Sequence, residues 1–128
     1  MALPHAHLLD VIDVSPLKDR LAEAVSTSLI KTGRVQLLHL VLHGHEDHPL
    51  HHVADECTVH CLEGLVEVVF PGGVRQLASG QVVVLPAQQA HSLRARAPSS
   101  VLVTLLLMNG DAGDQGGAGR QAVTARAG

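Results

Sequence analysis

The chain has 128 residues, enough for one domain and no second catalytic module. Hydrophobic residues make up 46%, charged residues 16%, and the formal net charge is −3. Such a chain can fill a core, which argues against disorder, and its scattered Arg and Lys and near-absence of aromatics argue against nucleic-acid binding. Phe70 is the single aromatic residue, so the core has to be aliphatic. No apolar run approaches the ~18 residues that span a bilayer, and the N-terminus lacks a cationic leader pattern. A cytoplasmic address is therefore expected. Cys57 and Cys61 are the only cysteines. On one extended strand their Cα atoms would stand ~13 Å apart, too far for a disulfide, so both are expected as free thiols. Ten histidines, against nine Lys plus Arg, are the compositional feature that asks for a function.

In chain order, residues 1–26 read as an arm and a short helix. Ser15-Pro16 has the form of a helix cap followed by a first-turn proline, and Leu17, Leu21 and Val25 recur at helical spacing. Residues 27–108 then alternate strand and turn. Ser28 to Lys31 leads to a turn at Thr32-Gly33, and Arg34 to Leu42 is an aliphatic strand. His45 to Pro49 reads as a polar loop. Thr58 to Leu62 and Leu65 to Phe70 are strands divided by Gly64, and Pro71-Gly72-Gly73 is a hairpin loop before Val74 to Leu77. Val82 to Leu85 lies between Gly80 and Pro86, His91 to Arg96 alternates, and Val101 to Met108 closes the folded part. Residues 109–128 are Gly, Ala and polar residues that read as a flexible tail. Short strands at nearly regular spacing describe an all-β barrel or sandwich. Two of the strands are apolar on both faces, which calls for a cover over the barrel's outside, either the N-terminal helix or a second copy of the chain. A homodimer on those outer faces is expected.

Most histidines lie in HLVLHGHEDHPLHHVADECTVHCLEG, and His91 stands in GQVVVLPAQQAHSL. Over roughly residues 27–108 the sequence resembles the cupin family, through Gly64 at the end of a first motif and Gly80, Pro86 and His91 in a second. The resemblance implies a double-stranded β-helix, or jelly-roll, barrel with metal-ligating side chains converging inside it. Counting back from Gly64 places the first motif's ligand positions at His51, Val53 and Cys57. Val53 stands where the family carries its second His, and Cys57 where it carries Glu. Glu56 and His52 are each one residue out of phase, a shift that reverses the face of a strand. Gln88 stands where a Gly usually follows the proline.

Two readings of the surviving residues follow. In one, His51, Cys57 and His91 hold a transition-metal ion (Zn, Fe, Mn, Ni or Cu) for a dioxygenase- or isomerase-type reaction. In the other, the barrel has lost its metal and binds a small molecule in a cavity lined by His45, Val53, Val59 and Gln89. With no aromatic wall, the ligand would be a small polar or aliphatic compound. His45, His48 and His51 either line the barrel mouth or form a solvated loop with His43 and His52. His60 is expected on the outer face. Asp10 and Asp13 read as solvated carboxylates, and Arg94 and Arg96 as surface charges opposite His91. No nucleophile elbow, phosphate loop or helical HExxH is present.

Overall fold

A computed structural model describes residues 5–44, 47–50 and 55–107. Nine strands are present among them: β1 (Thr27–Lys31), β2 (Val35–Leu42), β3 (Asp47–Leu50), β4 (Cys57–Glu63), β5 (Leu65–Phe70), β6 (Gly73–Ala78), β7 (Val82–Leu85), β8 (His91–Ala95) and β9 (Ser99–Leu106). They form a five-stranded sheet in the order β1-β2-β9-β4-β7 and a four-stranded sheet in the order β3-β8-β5-β6, every pair antiparallel. The expected tail at 109–128 lies outside the described residues.

Alternation along the strands gives each sheet one face toward the other. On β4, β8 and β9 the residues Cys57, Val59, Cys61, Leu93, Ala95, Val101, Val103 and Leu105 are all buried, and they join Leu40, Leu42, Val66, Val68, Leu77 and Leu85 in one aliphatic cluster. Each fully buried Val or Leu contributes about 1.5–3 kcal/mol relative to exposure, so a core without aromatic rings is sufficient. Cys57 and Cys61 are free thiols within it.

Gly64 joins the sheets. Its φ of +95° is one that L side chains rarely adopt, and a Cβ there would lie 2.2 Å from Ser99 Oγ and 2.4 Å from the Pro98 carbonyl. The Ser99 hydroxyl accepts from the Leu65 N–H (3.0 Å) and donates to the Ala97 carbonyl (2.6 Å), which ties the crossing of the β4-β5 and β8-β9 connections together.

Two segments depart from the sequence expectation. Asp47–Leu50, inside the stretch read as a polar loop, is an edge strand paired with β8 through Asp47 to Arg94 and His48 to Leu93. The N-terminal helix is a six-residue 3-10 helix, Lys18–Glu23, capped by Leu17 rather than by Ser15. The Ser15 hydroxyl turns back to the Asp13 carboxylate. Of the expected apolar stripe only Leu21 is buried, whereas Val25 is exposed. The helix does serve as a cover: the Glu63 carboxylate on β4 accepts from the Leu17 N–H (2.7 Å) and the Lys18 N–H (3.0 Å), holding the segment across the outside of the five-stranded sheet.

Candidate functional site

β8 carries the best-defined candidate. His91, Leu93 and Ala95 are buried while Ser92 and Arg94 are half-buried, so His91 faces the barrel interior. The loop between β7 and β8 sets its ring. Gln89 N–H donates to the Pro86 carbonyl (3.3 Å), closing a turn with Gln88 at φ +63°. The turn delivers the Gln89 carbonyl to His91 Nδ1 at 2.9 Å. A carbonyl can only accept, so Nδ1 carries the proton and Nε2 presents a lone pair. That Nε2 is buried and has no hydrogen-bond partner among the described residues. An unpartnered buried acceptor costs about 1–3 kcal/mol, a cost that a bound donor or a metal ion would remove.

The thiol candidate is of a different kind. Cys57 begins β4, opposite Leu85 on β7 and Leu105 on β9, and is almost completely buried in the aliphatic cluster. Burial pushes its thiol up to about 11, so the thiolate that a metal needs is disfavoured until the metal itself draws off the proton. Val59 lies two residues further along the same inner face, fully buried in that cluster. Gln89 is half-buried, and its side-chain amide donates to the neighbouring Ala90 carbonyl (3.2 Å). Its contribution to His91 comes from the backbone. His45, His51, His52 and Val53 lie outside the described residues.

Among the described residues no group of three or more His, Cys, Asp or Glu side chains could hold a metal ion. The described set supplies one ready imidazole nitrogen and one protonated thiol, too few donors to hold a metal ion by themselves.

The two facing sheets, with His91 directed between them from the strand after the Pro86 turn, match solved structures of one fold. A cupin superfamily protein from Desulfitobacterium hafniense superposes with a TM-score of 0.64 at 21% identity, covering 80% of this chain and 99% of that one. This chain folds as a cupin. An RmlC-like cupin with a double-stranded β-helix from Methanocaldococcus jannaschii gives 0.63 at 18% identity, over 76% of this chain and 92% of that one. A DMSP lyase from Ruegeria pomeroyi gives 0.57 at 22% identity, over 62% of this chain and 45% of that one. No family model and no curated protein matches the sequence.

Around this cupin barrel the remaining charged and polar candidates have structural partners. Arg94 Nε meets Glu67 Oε1 at 3.0 Å, with Arg96 at 3.9 Å from the same oxygen, on the outside of the four-stranded sheet. Asp10 accepts from the His7 N–H (2.8 Å) and Asp13 from the Ser15 N–H (2.9 Å), both in exposed turns of the arm. His48 pairs with Leu93 and is half-buried, which puts it on the inner face of β3. His60 is half-buried on the outer face of β4 between Leu102 and Val82. Sequence reasoning gave no role to His39, a buried residue on β2 with an unpartnered Nε2, or to Glu63. Only strand alternation marks His39, and nothing local marks Glu63. Among the described residues no helix is long and apolar enough to cross a membrane.

Proposed function

We propose that this cupin barrel binds a small polar or aliphatic molecule through His91, whose Nε2 lone pair accepts a hydrogen bond from the ligand. The observation that carries the reading is the fixed tautomer: Nδ1–H is held by the Gln89 carbonyl while Nε2 is buried without a partner among the described residues. The absence of aromatic residues other than Phe70 favours ligands that need no stacking surface.

The second reading, a metal-dependent enzyme with His51, Cys57 and His91 as ligands, draws on the same observation. A histidine that donates one ring N–H to a carbonyl is oriented as metal-binding histidines commonly are. Metal analysis of tag-free protein, together with melting curves in chelator, separates the two. Ligand binding without metal expects substoichiometric metal, melting insensitive to chelator, and stabilisation by members of a library of small hydroxylated and amide compounds that His91→Ala abolishes. One tightly held equivalent of Fe, Mn, Ni, Cu or Zn, lost in chelator and in His91→Ala, would overturn the first reading and establish the second.

We further propose a homodimer. The outside of the five-stranded sheet presents Leu37, Leu102, Thr104 and Leu106 beside the exposed Val82 and Val84, with His60 between Leu102 and Val82. Light scattering should give twice the chain mass, and Val84→Lys should return it to one. A monomer at all concentrations would refute the dimer and leave the barrel site untouched.

A further inference from the structure

Residues 5–26 form a strap over the outside of the five-stranded sheet. It is fixed at three places. His5 Nε2 lies 2.8 Å from Ser28 Oγ, and Ala6 N–H donates to the Leu29 carbonyl (2.9 Å), along the free edge of β1. Ser26 Oγ accepts from Val41 N–H (2.8 Å) where the strap rejoins the sheet. Between these ends the hold is Glu63, whose carboxylate takes the Leu17 and Lys18 N–H groups and the Ser100 hydroxyl (2.7 Å). The strap is neither relaxed nor flush. Leu9 and Lys18 have φ of +79° and +54°, where side chains are strained, and a groove of about 290 Å³ remains between residues 5, 6 and 11–13 and β1.

His39 stands on this covered face. On β2 it pairs with Thr27 of β1 and Leu102 of β9, one row from Val41, Ser100 and Glu63. In that row Val41 and Ser100 are buried and Glu63 is half-buried, whereas Val82, Val84 and Leu106 on the same face are exposed. His39 is 9% exposed and its Nε2 has no partner. We propose that the strap is an acid-sensitive cover: it closes over neutral His39 with Glu63 as its latch, and protonation of His39 opens it.

The charged and titratable groups facing His39 are few. From β4 they are Glu63, and His60 in the same row beyond Leu102; β1 and β9 present Thr27 and Leu102. The strap itself carries His5, His7, Asp10, Asp13, Lys18, Asp19, Arg20 and Glu23, all of them exposed. Burial lowers the His39 pKa, and Glu63 offsets part of that by attraction. Opening would hydrate the ring and return its pKa toward 6.5, so proton uptake favours the open form as pH falls below that value. Glu63 acts in the same direction at lower pH. Burial alone would raise its pKa, but the bonds from Leu17, Ser100 and Lys18 outweigh it and hold it below 4.5. The latch is lost only when that carboxylate is protonated.

Hydrogen exchange of the Leu17 and Lys18 amides, corrected for intrinsic rates, tests the cover on the full chain. Between pH 7.5 and 5.5 the opening equilibrium should rise by up to about tenfold, the factor one site with an open-state pKa near 6.5 can supply. The Val101 and Val103 amides should not change. In His39→Leu the two strap amides should stay protected at both pH values, with His39→Gln as the alternative if that variant does not fold. Glu63→Gln should weaken protection at both. Protection that is flat with pH in the wild type, a fall that persists in the His39 variants, or wild-type protection in Glu63→Gln would overturn the proposal.

Discussion

Gly64→Ala should be among the most damaging single-methyl additions to this chain. Two costs add at that position. The backbone is at φ +95°, outside the regions open to L residues, for which a cost of about 1–3 kcal/mol is usual. The new methyl would also sit 2.2 Å from Ser99 Oγ, 2.4 Å from the Pro98 carbonyl oxygen and 2.7 Å from Ser99 Cα. Two of those three atoms are backbone, and the hydroxyl is itself held by the Leu65 N–H and the Ala97 carbonyl, so no flexible side chain can swing aside. Forcing such a group into packed surroundings costs about a further 1–3 kcal/mol. The sum, ~2–6 kcal/mol, is a large share of the ~5–15 kcal/mol by which domains are stable. At ~4–8 °C per kcal/mol for a barrel of this size, it lowers Tm by ~8 °C or more. Gly72→Ala separates the two costs, because Gly72 has φ +98° with nothing within 4 Å of the added atom. Gly33→Ala, at ordinary φ and in open space, should be neutral or slightly stabilising. The assay is urea unfolding of all three variants. A Gly64→Ala loss no larger than that of Gly72→Ala would refute the packing argument at the sheet junction.

The β7–β8 turn supplies the opposite case: Gln88 sits at φ +63°, so Gln88→Gly should raise stability by ~0.5–1 kcal/mol in the same assay, and a decrease would mean the Gln88 side chain holds the turn. The buried Cys57 thiol, pushed up to about 11 against 9.0 in the unfolded chain, contributes stability that is whole below pH 9 and is lost as pH rises toward 11. The urea midpoint should therefore fall over that window in the wild type and fall less in Cys57→Ala; equal falls would remove the thiol as the cause. Native protein should also resist iodoacetamide at pH 8 at both cysteines. Arg94→Ala should cost no more than about 1 kcal/mol, because the Arg94 side chain is itself 42% exposed to solvent, and the difference should shrink in 1 M salt. A loss above 2 kcal/mol would show that the Arg94 stem, rather than its charge, packs the sheet.

The strands bounded by Gly and Pro were legible: Leu65–Phe70 and Val82–Leu85 have the same limits in sequence and structure. Asp47–Leu50 was not, because DHPL has neither alternation nor β-branched residues, and its strand conformation comes from pairing with β8. Pro49 is tolerable there because β3 is an edge strand. Glu63 shows the same limit at a single side chain. Strict alternation from Cys57, Val59 and Cys61 would turn residue 63 into the aliphatic core. The register shift between Cys61 and Glu63 inserts Leu62 as an extra residue and turns the carboxylate outward, to the strap and Ser100. A bulge of this kind is a property of the paired strands, so the latch could not be read from the motif that contains it.

Histidine abundance pointed to His51 and His91 inside the barrel, and the structure adds His39 on the other side of the five-stranded sheet. Both His39 and His91 are buried, and both leave Nε2 unpartnered. What distinguishes them is the rest of the ring's surroundings. At His91 the Gln89 carbonyl fixes the proton on Nδ1, so Nε2 is a standing acceptor directed between the sheets and suited to a ligand. For His39 no hydrogen bond orients the ring among the described contacts, while a carboxylate one row away makes the charged form more tolerable as soon as water is admitted. A fixed tautomer suits recognition, and a ring poised between burial and an anion suits proton uptake. His91 stands on the inner face of the four-stranded sheet and His39 on the outer face of the five-stranded one, and the difference in their surroundings is set by backbone pairing rather than by histidine spacing.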